Sequence, residues 1–118
     1  MADILFIEYP KCSTCQKAKK WLEEHKIRFS CRHIVNDTPT ADELCIWQKK
    51  NGKELRNFFN TSGLLYKSLN LKEKLPQMAE NEQLKLLSAN GMLIKRPLVV
   101  GDDFILIGFK EKEWSEKL

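Results

Sequence analysis

The chain has 118 residues, 42% hydrophobic and 31% charged, with five glycines, four prolines and four cysteines. This excludes disordered and collagen-like classes and suits one domain over residues 1–118, a size that buries roughly 65 to 70% of its unfolded surface without disulfide staples or a structural metal. Twenty Lys plus Arg against sixteen Asp plus Glu leave only +4, and Lys17, Lys19 and Lys20 run directly into Glu23 and Glu24, which reads as a solvated helix face and not as a surface for direct nucleic-acid binding.

The longest apolar runs, Ile4 to Ile7 and Leu98 to Val100, fall far short of the ~20 residues that cross a bilayer. The N-terminus lacks the basic, apolar and small-residue layout of a signal peptide. The expectation is a cytoplasmic chain with no membrane partner. In that reducing setting four thiols are not a disulfide framework, and a cysteine pair with special spacing points to catalysis, redox chemistry or metal binding.

Leu5, Ile7 and Tyr9 alternate with Ile4, Phe6 and Glu8 in a run that ends at Pro10, which predicts a strand buried on at least one face. From Thr14 to Lys26 the composition turns to Lys, Glu, Ala and Leu. Cys15, Ala18, Trp21 and Leu22 stand at the three- and four-residue spacings of one apolar helical stripe. Phe29, Cys31 and His33, set against Arg28, Ser30 and Arg32 and leading into Ile34 and Val35, predict a second strand. Strand, helix and strand within about 35 residues imply a right-handed parallel crossover.

Residues 39–90 then read as a helical block. Thr40-Ala-Asp-Glu43 after Pro39 is a capping-box signature for a helix through Leu44, Trp47 and Gln48 that stops near Gly52. Leu55, Phe58 and Phe59 form a short amphipathic turn broken at Asn60 to Gly63. Leu64, Leu65 and Leu69 resume the helix, and a further one covers Glu82 to Leu87 before Asn90-Gly91. Beyond Gly91, Met92 to Ile94 and Leu98 to Val100 read as strand-like on either side of Lys95-Arg96-Pro97. Gly101 to Asp103 supply a turn and Phe104 to Ile107 a returning strand. Trp114 and Leu118, four apart among charges, predict a terminal helix over Lys110 to Leu118.

Chemistry concentrates at Cys12-Ser-Thr-Cys15, just after the first strand and where the first helix begins. Two thiols three apart can close a small disulfide. The first meets unpaired backbone N–H groups and the positive end of the helix dipole, which favours a thiolate at Cys12. Lys11 and Arg96 are the cations that would lower its pKa further. Cys15 sits on the apolar stripe and faces inward, so Cys12 is the expected nucleophile and Cys15 the resolving thiol. The alternatives are two coincidentally buried cysteines, or a zinc site completed by Cys31 and His33. That second pair is spaced tightly and a helix N-terminus does not make a zinc knuckle, so no metal is expected. Cys31 and Cys45 read as small buried apolar residues, and His25 and His33 carry no acid-base role. Arg96-Pro97 admits two readings at this point. One is a cis proline that presents its backbone to a substrate beside an anion-binding guanidinium; the other is a trans proline opening a strand beside a surface arginine.

Tyr9-Pro-Lys-Cys-Ser-Thr-Cys15, Phe58-Phe-Asn-Thr-Ser-Gly63 and Gly91-Met-Leu-Ile-Lys-Arg-Pro97 followed by Gly108-Phe-Lys resemble the ArsC/Spx family, the arsenate-reductase-like branch of the thioredoxin superfamily, over essentially the whole chain. The resemblance implies an α/β fold with a thioredoxin/glutaredoxin-like core (βαβ…ββα) and a helical insertion between the second and third strands, at about 39–90. It implies that Pro97 is the family's cis-proline and that Arg96 is the arginine beside the catalytic cysteine. The chain also departs from the arsenate reductases, which carry Cys-Gly-Thr-Ser-Arg where it has Cys12-Ser-Thr-Cys-Gln16, and which gather three arginines around the oxyanion. Here only Arg96 matches, with Asn60 near the second position and Gly108 or Phe109 near the third. The Spx regulators of RNA polymerase share the Cys-x-x-Cys pair but have an arginine near Ser62 and a longer basic tail. The resemblance therefore implies a thiol-disulfide oxidoreductase acting on a small thiol or protein disulfide, with no bound cofactor and electrons from glutathione or thioredoxin. Its alternatives are an arsenate reductase using the same donors and a redox-sensing regulator that docks on RNA polymerase.

Overall fold

The computed structural model describes residues 3–118. Four strands, β1 (Ile4–Glu8), β2 (Phe29–His33), β3 (Leu98–Val100) and β4 (Ile105–Ile107), form one sheet in the order β2-β1-β3-β4. β1 pairs parallel with β2, as the strand-helix-strand spacing predicts, and β3 pairs antiparallel with both β1 and β4. The period of two puts alternate residues on opposite faces. Ile4, Phe6, Val99 and Leu106 pack with Ala18, Trp21 and Leu22 of α1 (Ser13–Glu24) and Trp114 of α6 (Glu111–Lys117). On the other face Ile7, Leu98, Ile105 and Ile107 pack against the helical segment between β2 and β3. This is a thioredoxin-like α/β arrangement, with a helical segment where the sequence predicts one.

That segment contains α2 (Ala41–Asn51), α3 (Leu64–Ser68), α4 (Leu71–Lys74) and α5 (Glu80–Ala89), with 3-10 turns at Leu55–Phe58 and Leu75–Gln77. The capping box forms as predicted. Glu43 N–H donates to Thr40 Oγ1, Thr40 N–H donates to Glu43 Oε1, and Gly52 ends the helix at φ +73. Leu71 and Leu75 are buried, so α4, which the sequence pattern does not resolve as a separate helix, is held by tertiary contact and not by length. No helix among the described residues is long and apolar enough to cross a membrane.

Two expectations are corrected. Gly91–Leu93 is a 3-10 turn and not a strand. Leu93 and Ile94 are fully buried while Met92 is exposed, and an apolar run of three residues is too short to carry a periodicity that separates strand from turn. Only Ile94 pairs in β fashion, through one bridge to Phe59. Gly91 is required there because a Cβ would stand 2.2 Å from the Ile34 carbonyl oxygen. Second, Cys31 is exposed and Cys45 only half-buried, so neither is a packing residue of the core. Cys31 lies on β2, the edge strand, which leaves the residue open to solvent.

The entry to the helical segment is tied to β2 by Arg32. Its guanidinium donates to both carboxylate oxygens of Glu43 at 2.7 and 2.8 Å and to the carbonyls of Asp37 and Thr38. The Arg32 hydrogen bond holds the Glu43 carboxyl down at about 2, against an ordinary 4.5, with help from Thr40 and against the cost of burial. A carboxylate with a depressed pKa in the folded state stabilises fully above its unfolded value and loses that contribution as pH falls toward the folded one. Glu43→Gln should therefore lower stability by about 1 to 2 kcal/mol at pH 7. The difference from the parent protein should shrink as pH falls from about 4.5 toward 2, as read by urea unfolding across that range.

Candidate functional site

β1 delivers the chain to the site. After Glu8 the backbone turns at Tyr9-Pro10, with Cys12 N–H donating to the Tyr9 carbonyl at 2.9 Å and Gln16 Nε2 donating to the Pro10 carbonyl at 2.9 Å. Cys12 is the N-cap of α1, extended at φ −82 and ψ 123, and no side-chain oxygen caps the helix. The free amide donors of the first turn are therefore left to the sulfur. Cys12 is half-buried and Cys15, one turn in, is fully buried. Both are free thiols.

The two sulfurs differ sharply in acidity. Burial raises the Cys12 pKa, but hydrogen bonds from the backbone and thiol of Cys15 and from the Thr14 backbone, together with the Arg96 charge, outweigh it and bring the thiol below its ordinary value. Cys15 is pushed up to about 12, by burial first and then by the hydrogen bond and charge of Cys12, with the Tyr9 backbone and Arg96 acting in opposition. The arrangement thus favours the thiolate at Cys12 and the thiol at Cys15, the pair that nucleophilic attack and resolution require. Of the two cations expected around Cys12, it is the Arg96 charge that lowers its pKa.

Arg96 and Pro97 immediately precede β3, whose Leu98 pairs with Ile7 near the end of β1 that leads into Cys12. The Arg96-Pro97 bond is cis, the first of the two readings open in the sequence. The preceding Lys95 N–H donates to the Phe58 carbonyl at 2.7 Å and the Pro97 carbonyl accepts from Gly108 N–H at 2.8 Å, so the segment is pinned between the helical block and the end of β4. The Arg96 guanidinium lies over the Tyr9 ring, 5.3 Å from its centroid, and Nη1 donates to the Met92 carbonyl at 3.5 Å.

The positions where arsenate reductases carry further arginines supply no cation here. Asn60 closes its own loop, accepting the Ser62 hydroxyl at its side chain and Gly63 N–H at its carbonyl. Gly108 stands at φ +75, which favours glycine, and Phe109 packs on Trp114 at 4.8 Å and Trp21 at 6.3 Å. His33, weighed as a metal ligand, instead accepts the N–H groups of Val35 and Asn36 at Nδ1. No group of three or more metal-ligating side chains occurs among the described residues. A cleft of about 870 Å³ lies in the helical segment beside Arg56, Tyr66 and Lys72, and neither Cys12 nor Cys15 lines it. Tyr9 is the residue that sequence reasoning missed. It stood inside the motif without a role, and the signal available was an aromatic side chain at the end of the strand that aims at Cys12.

The sequence matches the ArsC family over residues 7–117. The chain belongs to the ArsC family. It is 51% identical over 113 residues to the uncharacterized protein YusI of Bacillus subtilis (strain 168), covering 96% of each. It is 34% identical over 110 residues to the regulatory protein MgsR of the same organism, covering 93% of this chain and 86% of MgsR. An ArsC family related protein from Bacteroides fragilis shares 54% of its sequence and superposes with a TM-score of 0.93 over 98% of this chain and 97% of that one.

Iodoacetamide should modify Cys12 well before Cys15 at pH 7, because only the thiolate reacts. Peptide mass analysis across pH should give Cys12 a midpoint below that of a free thiol and leave Cys15 unlabelled in the folded protein. Arg96→Met should move the Cys12 midpoint upward.

Proposed function

We infer that the protein is a thiol-disulfide oxidoreductase with Cys12 as nucleophile and Cys15 as resolving thiol, working in a reducing, cytosolic setting. The carrying observation is the split in acidity between two thiols one helical turn apart, Cys12 lowered and Cys15 raised to about 12. The Cys12 thiolate attacks one sulfur of a substrate disulfide, forming a mixed disulfide and expelling the other sulfur as a thiolate. That bond removes the charge on Cys12. Of the influences that raise Cys15, those due to Cys12 then fall away and burial remains. Cys15 loses its proton to the departing thiolate or to solvent and attacks the Cys12 sulfur. The second substrate thiol leaves, and the substrate is reduced by two electrons while Cys12 and Cys15 become a disulfide. Glutathione or thioredoxin thiols would return the pair to the reduced state.

Arg96 and Pro97 line the approach to Cys12, the guanidinium as an electrostatic aid and the cis-proline as a backbone surface for the substrate. Arsenate reduction with the same donors is less well supported. A multiply charged oxyanion would meet Arg96 alone, and each missing charge-assisted pair weakens such a site by roughly 1.5 to 3 kcal/mol.

Similarity to the regulatory protein MgsR favours a second reading, in which the Cys12-Cys15 pair is the switch of a regulator that docks on RNA polymerase. The two readings separate on turnover. Cys12→Ser should abolish reduction of a protein or small-molecule disulfide with glutathione or thioredoxin as donor, and Cys15→Ser should accumulate a mixed disulfide at Cys12 visible by mass. Full activity in both variants contradicts the enzyme reading. Recovery of RNA polymerase subunits only under one redox condition would support the regulator.

A further inference from the structure

We propose that Tyr9 is the positioning residue of the site, its ring face holding the Arg96 guanidinium beside Cys12 while the His33 ring edge holds Tyr9 in place. This rests on the reading of Cys12 as the nucleophile, and it goes beyond that reading in naming what fixes the only matched cation.

Arg96 is otherwise poorly anchored. Among the described residues it forms no ion pair with a carboxylate. Its hydrogen bond to the Met92 carbonyl is long, at 3.5 Å, and its buried Nε has no partner. A guanidinium on a long side chain loses considerable rotamer freedom when ordered, so something must offset that cost. The Tyr9 ring, with its centroid 5.3 Å from the Arg96 guanidinium carbon, is within the range at which a cation is drawn to an aromatic face. A guanidinium also stacks on an aromatic plane where an ammonium cannot.

Tyr9 in turn is fixed from three directions. Its carbonyl accepts Cys12 N–H at 2.9 Å. Its backbone contributes a hydrogen bond to Cys15. Its ring meets the His33 ring edge-on, 5.8 Å between centroids and 89° between planes. His33 cannot turn freely, because Nδ1 accepts the N–H groups of both Val35 and Asn36 at 3.1 Å. One residue therefore touches both cysteines through its backbone and the cation through its ring.

The test is the pH dependence of Cys12 alkylation by iodoacetamide, read by peptide mass in the full-length protein, for the parent, Tyr9→Leu, Tyr9→Phe, Arg96→Met and the Tyr9→Leu/Arg96→Met pair. Tyr9→Leu should slow Cys12 labelling about three- to fivefold at a pH below the midpoint. Tyr9→Phe, which keeps the ring, should restore the parent profile, and Tyr9→Leu should add nothing once Arg96 is Met. A loss that is equal in the Leu and Phe variants, or that persists in full on the Arg96→Met background, overturns the proposal. Should Tyr9→Leu fail to give a cooperative melt, the parent protein still decides. The Arg96 side-chain protons should show upfield ring-current NMR shifts that Tyr9→Phe retains, and unshifted resonances in the parent overturn the proposal. Failure of disulfide turnover would remove the oxidoreductase reading and leave these alkylation and NMR results standing on their own.

Discussion

The uncapped first turn of α1 is the constraint on which the site depends. A helix that begins with Ser, Thr, Asp or Asn at its N-cap satisfies its free amides with an oxygen. This one begins with Cys12 and no side-chain cap, so the amide donors of Thr14 and Cys15 meet a sulfur instead. Stabilising a negative charge at that point requires no folded-state rearrangement, because the donors exist by virtue of the helix. The same turn places the second sulfur on the buried stripe, where burial keeps it protonated. One local arrangement thus produces both halves of the asymmetry.

The rest of the fold holds that turn against its surroundings. Phe6 and Ile4 on one face of β1 seat α1 through Ala18 and Leu22, while Ile7 on the other face anchors the helical segment. The helical segment is what brings Arg96 to the site. Gly91 packs directly on the Ile34 carbonyl, the chain crosses Phe58 and Phe59, and Lys95 N–H is taken by the Phe58 carbonyl. A shift of the helical block would move Arg96 and Pro97 with it. The Arg32 to Glu43 clamp is therefore relevant to the site although it lies outside it, since it fixes where the block starts.

Much of this was legible in the sequence because the informative signals are local. Alternation in Ile4 to Glu8, the stripe at Cys15, Ala18, Trp21 and Leu22, the Thr40 to Glu43 box and the cysteine spacing each report on neighbours a few residues away, and the strand, the stripe and the box form as predicted. What escaped notice depends on distant contact. The turn at Gly91–Leu93 is set by Ile34, far away in sequence, and a run of three apolar residues is too short to declare its conformation. Helix α4 exists through burial of Leu71 and Leu75. The exposure of Cys31 follows from β2 lying at the sheet edge, which no pattern within Phe29–His33 discloses. Tyr9 escaped for the same reason, because its partner Arg96 lies on another strand's approach and only the fold brings them together. The missing oxyanion cations, by contrast, were readable directly, and the conformations of Asn60, Gly108 and Phe109 explain why those positions serve packing and turns instead.

On the oxidoreductase reading, Cys12 and Cys15 form a working redox couple and not merely two adjacent thiols. That reading is tested most directly by equilibrating the protein in glutathione or dithiothreitol buffers of graded potential, alkylating, and quantifying the Cys12-Cys15 peptide by mass. A reversible two-electron transition to an intramolecular disulfide is expected within the cytosolic range, roughly −220 to −320 mV. A pair that stays reduced across that range, or oxidises only to disulfides between chains, would contradict it.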